Sequence, residues 1–552
     1  MRCTRSAQIL LVIMYGVWSA AWGQGGRRGA PAQTGPQTPT TAPGSATGGG
    51  GRAGAGGGGE GGNEFYNYDT TAGTGIAIAD AQPVETHPKV TVNGQVLDYT
   101  ARVGHLPLHN ATTGQTEAHL FYTCYSKDGV TEAATRPIVF FLGGAPGVAA
   151  GWQEFGGLGP KRMKPMEEGG DGVFAAVDNP NTLLGQADLV FVNPVGTAFS
   201  RPEQPAHGPN FWNTAGDVAS LGVFVRSFLG RYNRRNSPLF LAGEDYGTGR
   251  VAGLAGYLHE HQVPVRGVVL LSMTISADAL AGDAQYLTLM PSMAMAAWYH
   301  KKLSSELNGE SAEQIAGQAR QFASREYLHA LYKGDRMTAD ERTKVVADLA
   351  RLTGLSKSVV VNNNLRISIE RFNGALLSDQ HRGLSHSDAR VTGFVPAPAG
   401  GGRGGGRGNF GAPVAPIDFN LSRLAGGFLT AYEGYLRQDL RFNGNSNGIY
   451  YLMSGGVGAF TTTGNDDASL ANAFARDPNL RLFVAVNYYD LNAPFYATEF
   501  TLAHLNVSPE VRAHNITVSH FEAGQMPYMD SKATVKLQRD LSSFVTEAAA
   551  HK

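Results

Sequence analysis

Five short runs of consecutive apolar residues stand out along the chain, and stretches with helical periodicity separate them. The runs are 137–142 (PIVFFL), 188–192 (DLVFV), 239–242 (LFLA), 267–271 (GVVLL) and 481–486 (RLFVAV). Continuous apolar runs of this length are typical of strands in a parallel sheet whose two faces are both covered by helices. The pattern therefore predicts an α/β fold with a mostly parallel central sheet.

Two further regions differ from this pattern. Residues 89–126 alternate apolar and polar positions and contain Asn93-Gly94, which predicts a hairpin-rich β opening. About two hundred residues separate the fourth and fifth apolar runs, and much of that stretch has the 3.6-residue apolar period of amphipathic helices. We predict a helical cap over residues 276–440, inserted between the core segments 85–275 and 441–552.

The first residues have the pattern of an export signal. Arg2 and Arg5 precede the apolar run ILLVIMYGVWSAA, and small residues follow at Ala21 and Gly23. This order is that of a secretory signal peptide, and the run is shorter than the ~20 residues of a membrane span. We predict that residues 1–23 are cleaved and that the protein is exported to the periplasm, the cell surface or the medium. No transmembrane span is expected to remain.

Two Gly- and Pro-rich segments have few large apolar residues. Such segments cannot bury enough surface to offset the entropy lost on ordering. We predict that residues 24–84 form a disordered tether and that residues 396–416 form a disordered loop within the cap.

Charge and cysteine content narrow the possible partners. The chain has 45 Lys+Arg and 46 Asp+Glu, a net charge of −1, so it lacks the basic surplus that nucleic-acid binding requires. Loss of Cys3 with the signal peptide leaves Cys124 alone, and its β-rich surroundings indicate a buried structural residue.

His259-Glu260-His261 places two imidazoles on different helix faces, so we predict no metal site and no cofactor.

The sequence Gly243-Glu244-Asp245-Tyr246-Gly247 follows an apolar strand and precedes a helix rich in small residues. A strand, then G-x-nucleophile-x-G, then a helix is the pattern of the nucleophile elbow of α/β-hydrolases. The central residue here is Asp245, where such hydrolases commonly have serine.

The elbow and three further blocks resemble the serine carboxypeptidase family, in its bacterial branch, over roughly residues 86–545. The blocks are GGAPGVAAGWQEFGGLGP, ADLVFVNPVGTAFSRP, and NPNLRLFVAVNYYDLNAPFYATEF followed by FEAGQMPY. The resemblance implies an α/β-hydrolase fold with an inserted helical cap. In active relatives it implies a Ser-Asp-His triad in that chain order.

The resemblance assigns a role to each candidate site position. The family's nucleophilic serine falls on Asp245, its acid falls on the retained Asp490, and its histidine falls on Gln525. Two of the three triad residues are therefore replaced.

The family's oxyanion and carboxylate-binding loop falls on residues 143–150. Gly143 replaces the carboxylate-binding asparagine, and Ala145 lies in the part of the loop that supplies an oxyanion donor. The resemblance also carries over Glu244, which pairs with a substrate carboxylate, and Tyr246, whose amide completes the oxyanion hole.

These replacements remove the family's chemistry. Gln525 cannot take a proton from a nucleophile, and Asp245 places a carboxylate where a peptide carbonyl must approach. We predict an inactive protein with a binding or structural role, whose partner is a peptide, a small molecule or a protein. Glu244, Asp245 and Asp490 are expected to share a pocket, with at least one raised pKa.

Two alternatives remain open. In the first alternative, the protein is an α/β-hydrolase that acts on a small ester, halide or epoxide. Asp245 is then the nucleophile, and His520 takes the place of the missing histidine. The other alternative is residual serine-type carboxypeptidase activity.

Overall fold

The computed structural model describes residues 82–164, 174–274, 278–395, 418–443, 460–461 and 466–550. The predicted signal peptide, the loop 396–416 and residues 24–81 of the predicted tether lie outside them. The first strand begins at Val84, the last residue of that tether.

The described residues form strands and helices that alternate over most of the chain. The strands are β1 Val84–Thr86, β2 Lys89–Val92, β3 Gln95–His109, β4 Thr116–Lys127, β5 Ile138–Phe141, β6 Lys161–Met163, β7 Ala176–Asp178, β8 Asp188–Val192, β9 Arg201–Pro202, β10 Leu239–Asp245, β11 Gly267–Met273, β12 Arg382–Leu384, β13 Thr392–Phe394, β14 Arg481–Asn487 and β15 Ile516–Phe521. The helices are α1 Gly151–Gln153, α2 Gly208–Phe211, α3 Thr214–Arg231, α4 Tyr246–Glu260, α5 Ala284–Tyr299, α6 Ser305–Asn308, α7 Ala312–Phe322, α8 Leu328–Lys333, α9 Ala339–Thr353, α10 Lys357–Asn362, α11 Ile369–Leu376, α12 Phe419–Gly434, α13 Asp466–Arg476, α14 Phe495–His504, α15 Pro509–His514 and α16 Ala533–Ala550.

The main sheet has the strand order β1-β3-β4-β8-β5-β10-β11-β14-β15. The pairs β3·β4 and β4·β8 are antiparallel, and every pair from β8 onward is parallel. All five apolar runs are strands of this parallel part, and the alternating region 89–126 is the antiparallel opening. The predicted α/β fold class is confirmed.

The parallel strands are continuously apolar because both faces of the sheet are covered. Ile138 and Phe140 of β5 belong to one buried cluster, whereas Val139 and Phe141 belong to a second cluster on the other face. Successive side chains of a strand point to opposite faces, so a strand between two helical layers needs apolar residues at every position.

Helices α5–α12 lie between β11 and β14, within the predicted cap 276–440. Buried residues of α5, α7 and α9 belong to the same apolar cluster as one sheet face. Helix α12 differs, because its buried residues Leu424, Phe428, Ala431 and Tyr432 belong to the cluster on the opposite face. The inserted segment therefore supplies apolar side chains to both sides of the sheet.

Cys124 lies on β4 and is buried, as its surroundings predicted, and burial raises its thiol pKa to about 12. Across the described part of the chain, no helix has the length and apolarity that crossing a bilayer requires.

Candidate functional site

Asp245 lies at the sharp turn where β10 ends and α4 begins. Its backbone φ is 51° and its ψ is −126°, in the left-handed region that residues other than glycine rarely adopt. A Cβ atom at Gly243 would lie 2.0 Å from the carbonyl oxygen of Gly247, and one at Gly247 would lie 2.2 Å from the carbonyl oxygen of Gly143. The turn therefore requires glycine on both sides, which explains the G-x-D-x-G spacing.

Glu244, Asp245 and Asp490 are brought together behind this turn. The pKa of Glu244 is raised to about 8: burial is the main cause, a hydrogen bond from Tyr528 opposes the shift, and the charges of Asp245 and Asp490 add to it. The Tyr528 hydroxyl donates to Glu244 Oε2 at 2.7 Å. Sequence analysis did not identify Tyr528, although it ends the block FEAGQMPY.

Asp490 is fully buried in the loop that follows β14. Its Oδ1 accepts hydrogen bonds from the backbone N–H groups of Asn492 at 2.9 Å and Ala493 at 3.0 Å. Its Oδ2 is buried and has no partner within hydrogen-bond distance among the described residues, although the Ser272 side chain is near enough to lower the pKa of this carboxyl. The pKa of Asp490 is raised to about 7: burial and the charge of Asp245 raise it, whereas hydrogen bonding from the two backbone amides and from the Ser272 side chain lowers it.

Asp245 itself has a raised pKa, because burial outweighs two hydrogen bonds that favour the ionised carboxylate. One bond comes from the Thr274 side chain, and the other comes from the backbone N–H of Tyr246. The carboxylate of Asp245 therefore lies near the amide that the resemblance assigns to the oxyanion hole.

Gln525 lies in the loop after β15, and its backbone is firmly held. Its N–H donates to the Ser387 carbonyl at 2.7 Å, and the Ser272 hydroxyl donates to its carbonyl at 2.7 Å. Its side-chain Oε1 accepts from Asn492 Nδ2 at 3.4 Å. The side chain of Gln525 thus bonds to Asn492, and Oδ2 of Asp490 stays unpaired.

His520 is directed to a different group. Its Nε2 lies 2.6 Å from Glu499 Oε1, and its ring packs near Tyr488. Glu499 also accepts two hydrogen bonds from the Arg320 guanidinium, at 2.9 and 2.7 Å. The structure does not bring His520 to Asp245 or Asp490.

The loop 143–150 lies against the elbow. Gly143 has φ 75°, and its N–H donates to Gln153 Oε1 at 3.1 Å. Ala145 forms a tight turn in which its carbonyl accepts from the Val148 N–H at 2.8 Å. Position 143 has no asparagine side chain, so the loop lacks the carboxylate ligand that the resemblance assigns to this position.

A buried ion pair fixes this loop, and sequence analysis missed it. Arg250 of α4 is 1% exposed and donates through Nε to Asp217 Oδ2 of α3 at 2.7 Å. Its Nη1 donates to the carbonyl oxygens of Leu142 at 2.8 Å and Gly144 at 2.9 Å. In the sequence, the sign of this buried ion pair was an arginine within a helix of small, apolar residues.

We expect Arg250→Leu to destabilise the protein by about 3–5 kcal/mol, because it leaves the Asp217 charge buried without a partner. The double variant Arg250→Leu/Asp217→Leu should recover much of this loss. Urea unfolding followed by circular dichroism measures both, with Arg226→Leu at an exposed site of α3 as the matched control. A single variant as stable as the control would contradict the assigned role.

The segment His259-Glu260-His261 is an exposed helix end. The ring of His261 stacks on Tyr257, and Glu260 pairs with Arg476. Within the described ranges, no group of three His, Cys, Asp or Glu side chains is arranged to hold a metal ion.

Comparison with solved structures finds several hydrolases. A prohormone-processing carboxypeptidase, Kex1(delta)p from Saccharomyces cerevisiae, is 11% identical, with 81% of this chain and 91% of that chain covered at a TM-score of 0.48. Esterase E22 is 10% identical, with 80% and 100% covered at a TM-score of 0.33. The haloalkane dehalogenase DatA from Agrobacterium tumefaciens C58 is 10% identical, with 84% and 97% covered at a TM-score of 0.30.

Comparison with curated protein sequences finds no match. The sequence profile of the serine carboxypeptidases matches residues 91–367, half of the chain. The matched range includes the loop at Gly143 and the elbow at Asp245, and it ends before Asp490 and Gln525. On the strength of that match, the chain belongs to the serine carboxypeptidase family.

Proposed function

We propose that this protein is an exported, catalytically inactive member of its family that retains the hydrolase scaffold for a binding or structural role. The observation that carries the proposal is the buried, unpaired Oδ2 of Asp490. In a Ser-His-Asp triad the acid accepts a hydrogen bond from the histidine that serves as base. Within the described ranges, no imidazole is placed to fulfil that role: Gln525 stands at the position that the resemblance assigns to the family histidine, and His520 pairs with Glu499.

The environment of Asp245 supports the same conclusion. An oxyanion hole stabilises a transition state only if its N–H donors are free to bind the developing charge. The N–H of Tyr246 lies close enough to the Asp245 carboxylate to lower its pKa. A peptide carbonyl approaching the elbow would meet a carboxylate oxygen in place of a nucleophilic hydroxyl and an open donor.

Export and the class of ligand rest on the sequence. The pattern of residues 1–23 supports a signal peptide. The net charge of −1 and the family scaffold favour a peptide, small-molecule or protein ligand over nucleic acid.

A second candidate is an Asp-nucleophile hydrolase acting on a small ester, halide or epoxide. The strained elbow conformation of Asp245 favours it, because this turn is the one that presents a nucleophile in α/β-hydrolases. Release of the resulting ester needs an activated water. Residual serine-type carboxypeptidase activity is the least favoured candidate, because no serine occupies the elbow.

Intact-mass spectrometry separates the three candidates. We expect no adduct after incubation with a fluorophosphonate, and none after incubation with a reactive alkyl halide or epoxide. A fluorophosphonate adduct that disappears on heat denaturation would indicate an active serine. An ester mapped to Asp245 and absent from Asp245→Asn, or catalytic turnover of the halide or epoxide, would establish the Asp-nucleophile hydrolase.

A further inference from the structure

A second buried acid lies behind the oxyanion loop, in the π-helical turn Glu154–Leu158 that follows α1. Glu154 is 1% exposed. The Tyr125 hydroxyl donates to its Oε1 at 2.5 Å, and the Tyr432 hydroxyl donates to its Oε2 at 2.6 Å. The hydroxyls of Tyr125 and Tyr435 are 2.9 Å apart. We call Glu154 and these three tyrosines the Glu154 cluster.

The cluster joins elements that are far apart in the sequence. Tyr125 is on β4 of the main sheet, whereas Tyr432 is on α12 and Tyr435 begins the turn that follows that helix. Around these bonds α12 is held by aromatic contacts: Phe428 stacks on Trp152 at 3.9 Å. The hydrogen bond from Tyr432 to Glu154 is therefore a polar contact that holds α12 in an otherwise apolar interface.

The groups facing the cluster are neutral or acidic, apart from Arg162 of β6, the strand that packs against the same turn; Arg162 is buried, which lowers its pKa. Besides the three tyrosines of the cluster, Thr123 of β4 and Tyr99 of β3 approach it. The charges of Asp178 and Asp439 act on Tyr99, and that of Asp439 also acts on Tyr435. No cation among the described residues influences Glu154. Ionisation of Glu154 therefore places an uncompensated negative charge in the interface.

The same π-helical turn contacts the candidate site. A Cβ atom at Gly156 would lie 2.7 Å from the Tyr528 ring, and one at Gly157 would lie 2.2 Å from the Tyr528 carbonyl oxygen. Tyr528 donates to Glu244. The turn thus packs against α12 on one side and against the residue that binds Glu244 on the other.

We propose that the Glu154 cluster is a proton-dependent latch that holds α12 against the segment behind the oxyanion loop and loosens when Glu154 ionises. Burial raises the pKa of Glu154 to about 7, although the bonds from Tyr125, Tyr432 and Thr123 lower it. A carboxyl released to solvent would return to its ordinary pKa of about 4.5. The docked state therefore binds the proton more tightly, and docking weakens as the pH rises from about 4.5 through 7.

Hydrogen exchange of the full-length protein, followed by mass spectrometry, tests the latch. After correction for intrinsic exchange, protection of peptides from α12 should fall on the order of a hundredfold between pH 4.5 and pH 8. Because ionisation of Glu244 also lowers the global stability over this pH range, peptides from α3 lose protection too, and the reference for α12 is therefore the Glu154→Gln variant. Unchanged protection of α12 between the two pH values would overturn the proposal.

Glu154→Gln keeps the shape and cannot ionise, so α12 in this variant should lose much less protection between the two pH values than α12 of the wild type. The matched control is Glu433→Gln on the same helix, which should keep the wild-type response. A wild-type response in Glu154→Gln would overturn the proposal.

A second variant applies even if Glu154→Gln fails to fold. Tyr432→Phe removes one of the bonds that favour the carboxylate, so the pH range over which α12 loses protection should extend upward. An unchanged or lower range in Tyr432→Phe would also overturn the proposal.

Discussion

The double variant Asp245→Ser/Gln525→His is expected to release the C-terminal residue of a blocked dipeptide about a hundredfold faster than Asp245→Ser alone. The reason is that a positioned general base contributes typically 10²–10⁴-fold. Position 525 is suited to hold one, because Ser387 and Ser272 fix its backbone and Oδ2 of Asp490 is unpaired. The Nδ1–H of a histidine at position 525 would donate a hydrogen bond to Oδ2 of Asp490.

Each single variant should stay at the background rate, since Asp245→Ser lacks the base and Gln525→His lacks the hydroxyl. The recovered activity should also stay low, because Gly143 provides no side chain for a substrate carboxylate. Asp245→Ser/Gln525→Asn is the matched control, with an amide in place of the base. Activity in Asp245→Ser equal to that of the double variant would show that another residue acts as base, and would contradict the proposed inactivity.

Stability should fall as the pH rises from about 4.5 through 8, and Glu244 should account for a large part of the fall. Its folded pKa of about 8 exceeds its ordinary 4.5, so the folded state holds a proton that the unfolded state has released. Stabilisation from this proton is complete below pH 4.5 and is lost as the pH rises through 8. The loss is on the order of 4 kcal/mol.

Glu244→Gln removes the titration while keeping an acceptor for the Tyr528 hydroxyl. Urea unfolding at several pH values should therefore give a flatter pH profile for this variant than for the wild type. The exposed Glu510→Gln should follow the wild-type profile. Parallel profiles for Glu244→Gln and the wild type would show that Glu244 ionises normally and does not share a pocket with Asp245 and Asp490.

The parallel strands could be predicted because their cause is local. A strand buried on both faces must be apolar at every position, and the runs at 137–142 and 267–271 show this directly. The division of the cap between two faces could not be predicted, because the apolar stripe of α12 does not indicate which surface will cover it.

The elbow was predictable for a similar reason. Gly243 and Gly247 surround Asp245 because their backbones pass within contact distance of other carbonyl groups, and only glycine fits. Asp490 and Gln525 were assigned by the resemblance, and the structure shows that the strands before them, β14 and β15, are neighbours in the sheet. The sequence did not indicate where their side chains point. In the structure, the side chain of Gln525 bonds to Asn492.

The sequence by itself determined the fold class and the elbow, because each depends on residue type at a fixed local spacing. The resemblance, and not the spacing, assigned Asp245 and Gln525 to the positions of the family's serine and histidine. Tertiary structure alone decided how the buried charges are satisfied. Tyr528 reaches Glu244 across 284 residues of sequence, Arg250 reaches Asp217 from a neighbouring helix, and His520 turns to Glu499. Partners of buried polar groups are chosen by three-dimensional proximity and desolvation, and neither is encoded in a local pattern.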